Sequence, residues 1–185
     1  MNRLAPEATV LLVVDVQERL AAAMPAPRLE GLTRSTGILL DAAAQLGVRV
    51  LASEQYPKGL GHTVAPVAEK LRALGVTPAA KMTFDACGEP EIARPLAAMA
   101  PRAVIVVGME THVCVFQTVR ELVRRGYDVH VPVDGVASRT EENRVAGLAL
   151  CERAGALATT TETIVFDWLE RAGTDAFKAI SKLVR

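Results

Sequence analysis

Three ionisable residues stand out because each follows a short run of strand-forming residues: Asp15 after Val10–Val14, Lys81 after 77–80, and Cys114 shortly after Ala103–Val107. An ionised carboxylate straight after five apolar residues is costly unless it is paired. A cysteine attacks as its thiolate, which a helix N-terminus and a nearby ammonium group stabilise. On that ground Cys114 is expected to be held ionised, with Lys81 balancing it and Asp15 in one charge cluster. Asp15 is then placed to take the thiol proton and pass it to a leaving nitrogen. Backbone N–H groups of the 108–114 turn would face a developing oxyanion. The chemistry implied is attack on a carbonyl carbon followed by thioester hydrolysis.

Such a set must be assembled by elements far apart in the chain. Short β-branched runs at 9–14, 48–53, 77–80, 103–107, 127–131 and 156–160 alternate with stretches of helical period near 32–46, 66–74, 90–99, 113–125, 141–153 and 174–183. That alternation is the signature of parallel strands joined by crossover helices. The strand runs are continuously apolar rather than alternating, as expected of strands covered on both faces. From 113 to 125 the positions Val115, Phe116, Val119, Leu122 and Val123 repeat at helical spacing, so Cys114 is expected to open that helix. The segment 54–65 is rich in Gly and Pro and is expected to be a surface loop.

The expected fold is α/β, a three-layer, doubly wound, Rossmann-like sheet of six parallel strands. In such sheets ligands bind beyond the carboxyl ends of the strands where the order reverses. With strand order 3-2-1-4-5 the residues after Val14 and Val107 face one another. Lys81, two strand spacings or roughly 10 Å away, can largely cross the gap.

Length and composition bound the function. A chain of 185 residues fits one domain, 1–185. Lys plus Arg and Asp plus Glu number 21 each, so the charge footprint of a dedicated nucleic-acid binder is missing. No apolar run approaches the ~20 residues of a membrane span. The N-terminus does not read as a secretory signal, so a cytoplasmic protein is expected. Cys87, Cys114 and Cys151 are odd in number and widely spaced, which argues against a disulfide framework. Cys87 and Cys151 read as packing residues. Three histidines, 62, 112 and 130, are too scattered for a zinc cluster.

The motifs VVDVQ at 13–17, Lys81 before MTFDA, and GMETHVCVFQT at 108–118 together resemble the isochorismatase-like cysteine hydrolase family. SEQYPKGLGHT at 53–63, VDGVASRTEENR at 133–144 and GALATTTE at 155–162 extend the likeness over nearly the whole chain, toward metal-independent members similar to isochorismatase domain-containing proteins. The resemblance implies a catalytic triad of Asp15, Lys81 and Cys114. It also implies a cis peptide at Met109–Glu110 and an oxyanion hole formed by the N–H groups of Glu110 and Cys114. Family members hydrolyse nicotinamide, N-carbamoyl compounds, ureidoacrylate or isochorismate; the last reaction does not need the cysteine, so Cys114 favours C–N cleavage. Nicotinamidases of the family carry an Asp-x-His metal motif after the second strand, where this chain reads Ser53-Glu54-Gln55-Tyr56. Neither metal nor cofactor is therefore expected. Gln17, Glu54, Gln55, Tyr56, Phe84 and His112 are candidates for contacting a small-molecule substrate, and the family tendency is toward homo-oligomers.

Two other classes compete. A flavodoxin-like signalling or nucleotide-binding module would also place Asp15 after the first strand. It would want paired acids there and a glycine to admit a pyrophosphate, and Asp15-Val16-Gln17-Glu18 supplies neither. A non-catalytic oligomeric member would keep the scaffold alone.

Overall fold

The structure, a computed structural model, describes residues 3–184. In chain order the elements are β1 (Thr9–Val14), α1 (Glu18–Ala21), α2 (Ala26–Leu46), β2 (Arg49–Gln55), α3 (Pro57–Leu60), α4 (Ala65–Ala73), β3 (Ala79–Lys81), α5 (Pro90–Met99), β4 (Ala103–Met109), α6 (Phe116–Arg124), β5 (Asp128–Pro132), β6 (Val136–Ala137), α7 (Glu141–Ala154), β7 (Leu157–Thr159), α8 (Thr161–Leu169) and α9 (Asp175–Ile180). The strands pair in the order β3-β2-β1-β4-β5-β7, and β6 adds to the end of β4. Every pairing is parallel. The expected order therefore holds, with seven strands among the described residues in place of six. β6 is two residues long, too short to leave a pattern in sequence.

The valine-rich β1 and β4 lie at the centre, buried along their whole length. Their side chains alternate between faces, as strand geometry requires. Leu11, Val13, Ile105 and Val107 pack with Leu39 and Leu40 of α2, Leu71 of α4 and Trp168 of α8. Val10, Leu12, Val14, Val104 and Val106 pack on the opposite face with Ile92 and Leu96 of α5, Val119 and Leu122 of α6 and Cys151 of α7. The result is a sheet between two helical layers. At the crevice end Val14 lies opposite Ser53 on one side and Gly108 on the other. Gly108 has φ +130°, and a Cβ there would stand 1.9 Å from the Val14 carbonyl oxygen, so only glycine fits this junction.

Several expectations need correction. β2 runs two residues past the expected end at 53, taking in Glu54 and Gln55, and half of the rest of the supposed loop folds as α3 and the start of α4. The backbone of Gln55 pairs with Lys81 of β3, which explains the extension. The expected helix 113–125 begins instead as a wide π-type turn over 111–115, and α6 starts at Phe116. α8 was not anticipated, although Thr160 caps it by accepting from the Thr163 N–H at 3.2 Å, and Ile164, Val165, Trp168 and Leu169 form its buried face.

Candidate active site

The end of β1 delivers Asp15, which leaves the strand with φ +52° and donates its N–H to the Ser53 carbonyl at 3.1 Å. Its Oδ1 accepts from Ser53 Oγ at 2.7 Å. Oδ2 lies 2.7 Å from Lys81 Nζ, and both side chains are fully buried. Lys81, the last residue of β3, also donates to Gln55 Oε1 at 2.6 Å and to the carbonyls of Thr83 (3.1 Å) and Phe84 (3.2 Å). A buried ion pair is tolerable only when its remaining polar valences are met. Gln55 and the 83–84 backbone do that for the Lys81 ammonium and Ser53 for Asp15 Oδ1, while Asp15 Oδ2 has its ion pair with Lys81 and, among the described residues, no hydrogen-bond partner.

Cys114 arrives from the π-type turn after β4, 5% exposed, with its sulfur within hydrogen-bonding reach of both Asp15 and Lys81. Burial, first, and then the Asp15 carboxylate push its thiol up to about 12, and the opposing pull of Lys81 is outweighed. The expectation of a thiol held ionised is thus corrected: the resting group is a thiol. The physical reasons are that Cys114 lies inside the turn rather than at the open start of a helix, and that desolvation disfavours the thiolate. Cys87 and Cys151 are pushed up to about 12 by burial as well. Cys87 also has an acid, Asp85, and a cation, Arg125, close by; what separates Cys114 from both other cysteines is that its sulfur itself is in reach of a carboxylate and an ammonium group, those of Asp15 and Lys81.

The Met109–Glu110 peptide is cis, as expected. The Glu110 carbonyl accepts from Val113 N–H (3.0 Å) and Val115 N–H (3.3 Å), which shapes the turn around Cys114. The Glu110 carboxylate turns away to Arg139, with Oε1 3.1 Å from Nε and Oε2 accepting from the Arg139 N–H at 3.1 Å.

The six residues expected to contact substrate divide into two groups. The Gln17 amide donates to the Gln55 (3.0 Å) and Gly61 (2.7 Å) carbonyls and accepts from the Gln55 N–H at 2.7 Å. Glu54 accepts from Thr63 N–H (2.7 Å) and Thr63 Oγ1 (2.8 Å), with His62 Nδ1 at 3.1 Å. Gln55 donates to the Met82 carbonyl at 3.0 Å while it holds Lys81. These three are buried, and their polar groups are committed to protein partners. Tyr56 (48% exposed) and Phe84 (52%) stand at the surface near the ends of β2 and β3, joined through the Tyr56 N–H donating to the Lys81 carbonyl at 2.9 Å. His112 is half-buried beside Ser138 Oγ at 3.1 Å.

Ser53, Ser138 and Arg139 were not anticipated. Their significance comes from partners distant in sequence; the one available signal was Ser53's place across from the end of β1. Where nicotinamidases of the family place their metal motif, this chain offers Glu54 and His62, with Glu54 already bound to Thr63. Among the described residues no three His, Cys, Asp or Glu side chains gather as a metal cluster, so the donor set does not fit such an ion. A 720 Å³ cavity lined by His130, Thr159, Phe166 and Asp167, among others, lies at the β5–β7 edge and contains none of the triad. The convergence of ionisable groups, rather than cavity size, marks the crevice as the candidate site.

Residues 9–163 match the model of the Isochorismatase domain family. The chain is 38% identical to the secreted isochorismatase effector Isc1 of Phytophthora sojae (strain P6497), covering 100% of this chain and 88% of the relative. It is 31% identical to isochorismatase domain-containing protein 2A of Mus musculus, over 100% of this chain and 86% of the relative. Among solved structures, the MAR1 ribonuclease of Caenorhabditis elegans superposes with a TM-score of 0.92 at 36% identity, covering 99% of this chain and 92% of that one. With the parallel sheet and the Asp–Lys–Cys crevice described above, these likenesses lead to one conclusion: the chain belongs to the isochorismatase family of hydrolases.

Proposed function

We propose that the protein is a cysteine hydrolase that cleaves a C–N bond, of the amide or carbamoyl type, in a small molecule. One observation carries this reading: a buried thiol in reach of a carboxylate that is itself held by an ammonium group at 2.7 Å. Cys114 Sγ attacks the carbonyl carbon as its proton moves to Asp15, so the thiolate forms only as the C–S bond does. The oxyanion that develops accepts from the N–H groups of Glu110 and Cys114. Asp15 returns the proton to the nitrogen as the C–N bond breaks, which releases the amine and leaves a thioester. Water then attacks the thioester carbonyl, again with Asp15 as base, and yields the carboxylic acid and the free thiol. Lys81, 2.7 Å from Oδ2, keeps the Asp15 carboxyl group oriented as it takes up and returns the proton. Tyr56, Phe84 and His112 are the side chains left to contact substrate, an apolar rim with one polar member.

Profiling against a library of small amides, carbamoyl compounds and esters tests this proposal. On the best substrate, Cys114→Ala is expected to lower kcat by roughly a hundredfold or more. Intact-mass analysis after a quench should detect the acyl adduct on Cys114. Near-normal turnover by Cys114→Ala would end it. A parallel assay on RNA distinguishes the alternative raised by the nematode relative's ribonuclease activity.

A further inference from the structure

The outer face of α7 has a property its inner face does not need. Glu142, Val145, Ala146, Ala149, Leu150 and Arg153 follow one another at i, i+3, i+4, i+7, i+8 and i+11, which places them on one stripe of the helix. All six are exposed, including Val145 at 53% and Leu150 at 40%. The opposite side of the helix is the one buried in the protein, through Gly147 and Cys151. An apolar stripe facing water is therefore flanked by an acid at one end and a base at the other. Among the described residues neither Glu142 nor Arg153 has an ion-pair partner. Neighbouring Glu141, by contrast, is engaged by Arg28 and Arg144.

The stripe is palindromic in chemistry. An antiparallel copy of the same helix, related by a two-fold axis, brings residue 142 to the level of 153, 145 to that of 150 and 146 to that of 149. Acid then meets base at both ends and the alanines meet at the crossing, while Val145 and Leu150, on opposite flanks of the stripe, lie against Ala149 and Ala146 of the second copy. Small residues at the crossing let the helix axes approach to the ~8–10 Å of packed helices. The charged ends lie only about 8 Å along the axis from the two-fold, a divergence that long side chains can span. A surface that complements itself under a two-fold rotation is the requirement for an isologous dimer.

We propose that α7 is a self-association surface whose occupant is the antiparallel α7 of a second copy of this chain, held by reciprocal Glu142–Arg153 pairs around an Ala146–Ala149 crossing. The contact bears on the site as well. Gly147, on the inner face of the same helix, is so close to the turn before Cys114 that a Cβ would lie 2.7 Å from His112 N. Self-association would clamp that turn from behind.

The test is a charge swap on the full-length protein, read by analytical ultracentrifugation from about 1 to 100 μM. Wild type is expected to assemble. Glu142→Arg and Arg153→Glu should each weaken assembly by roughly a hundredfold, because two attractive pairs become repulsive. The double swap should restore it, and mixing the two single variants should give a heterodimer, since both of its pairs are then attractive. Each reversal also opposes the helix dipole, but the double swap carries both penalties, so its recovery cannot come from helix stability. Ala149→Lys, an exposed change to a good helix former, should separate the copies without disturbing the fold. Monomeric wild type, unaltered assembly of the single variants and Ala149→Lys, or a double swap that stays dissociated would each overturn the proposal.

Discussion

At the residue scale, the proposed function asks Cys114 to act as a nucleophile from a thiol whose ionisation burial disfavours. Its thiol is pushed up to about 12, chiefly by burial and then by Asp15. Below that value the thiolate fraction grows tenfold per pH unit. Alkylation of Cys114 by iodoacetamide should therefore rise about tenfold per unit from pH 7 to 10 without levelling off; a plateau near neutrality would show an ionised resting thiol. Asp15→Asn removes two influences that raise the thiol, the negative charge and the hydrogen bond, while keeping an acceptor for Ser53. It should alkylate faster than wild type at pH 8 and yet hydrolyse substrate more slowly. That opposition separates an acid–base role for Asp15 from simple activation of sulfur. Lys81→Met leaves the buried Asp15 carboxylate without its counter-charge and should cost about 3–5 kcal/mol in urea unfolding.

At the scale of elements, two glycines control how the site is held. Gly147→Ala would drive a Cβ to 2.7–2.8 Å from backbone atoms of Thr111 and His112, which cannot yield as a flexible side chain would. A destabilisation of about 1–3 kcal/mol is expected. Because α7 is displaced against the turn that carries Cys114, kcat should fall as well, which kinetics beside a melting curve would reveal. Gly108 seals the β1–β4 junction and should tolerate no side chain. Elements that the sequence disclosed poorly are those with short or mixed signals. β3, expected over 77–80, is the shorter Ala79–Lys81 and takes in the lysine, whereas β6 is Val-Ala, too brief for a period to register. The π-type turn leaves no mark in the sequence because Val115, Val119 and Leu122 keep helical spacing straight through it.

For the whole molecule, Cys87, Cys114 and Cys151 all rise from 9.0 to about 12 on folding. Between those values the unfolded chain releases protons that the folded chain retains, so unfolding gains and stability falls as pH rises from 9 to 12. Urea unfolding at successive pH values should show this decline, with a shallower slope in Cys151→Ala. A flat profile would mean that the thiols ionise in place. Among the described residues no helix is long and apolar enough to cross a membrane. The amino-acid sequence alone determined the alternation of strand and helix, the central pair β1 and β4, and the residue types Asp15, Lys81 and Cys114 at the strand ends. Those follow from local pattern, since a strand buried on both faces must be continuously apolar and any charge must come after it. Tertiary structure decided the partners: that Ser53 and Gln55 hold the ion pair, that Gln17 and Glu54 brace the backbone, and that burial keeps sulfur protonated. Desolvation and hydrogen-bond geometry are sums over neighbours that the chain brings together only on folding, and no spacing along the sequence encodes them.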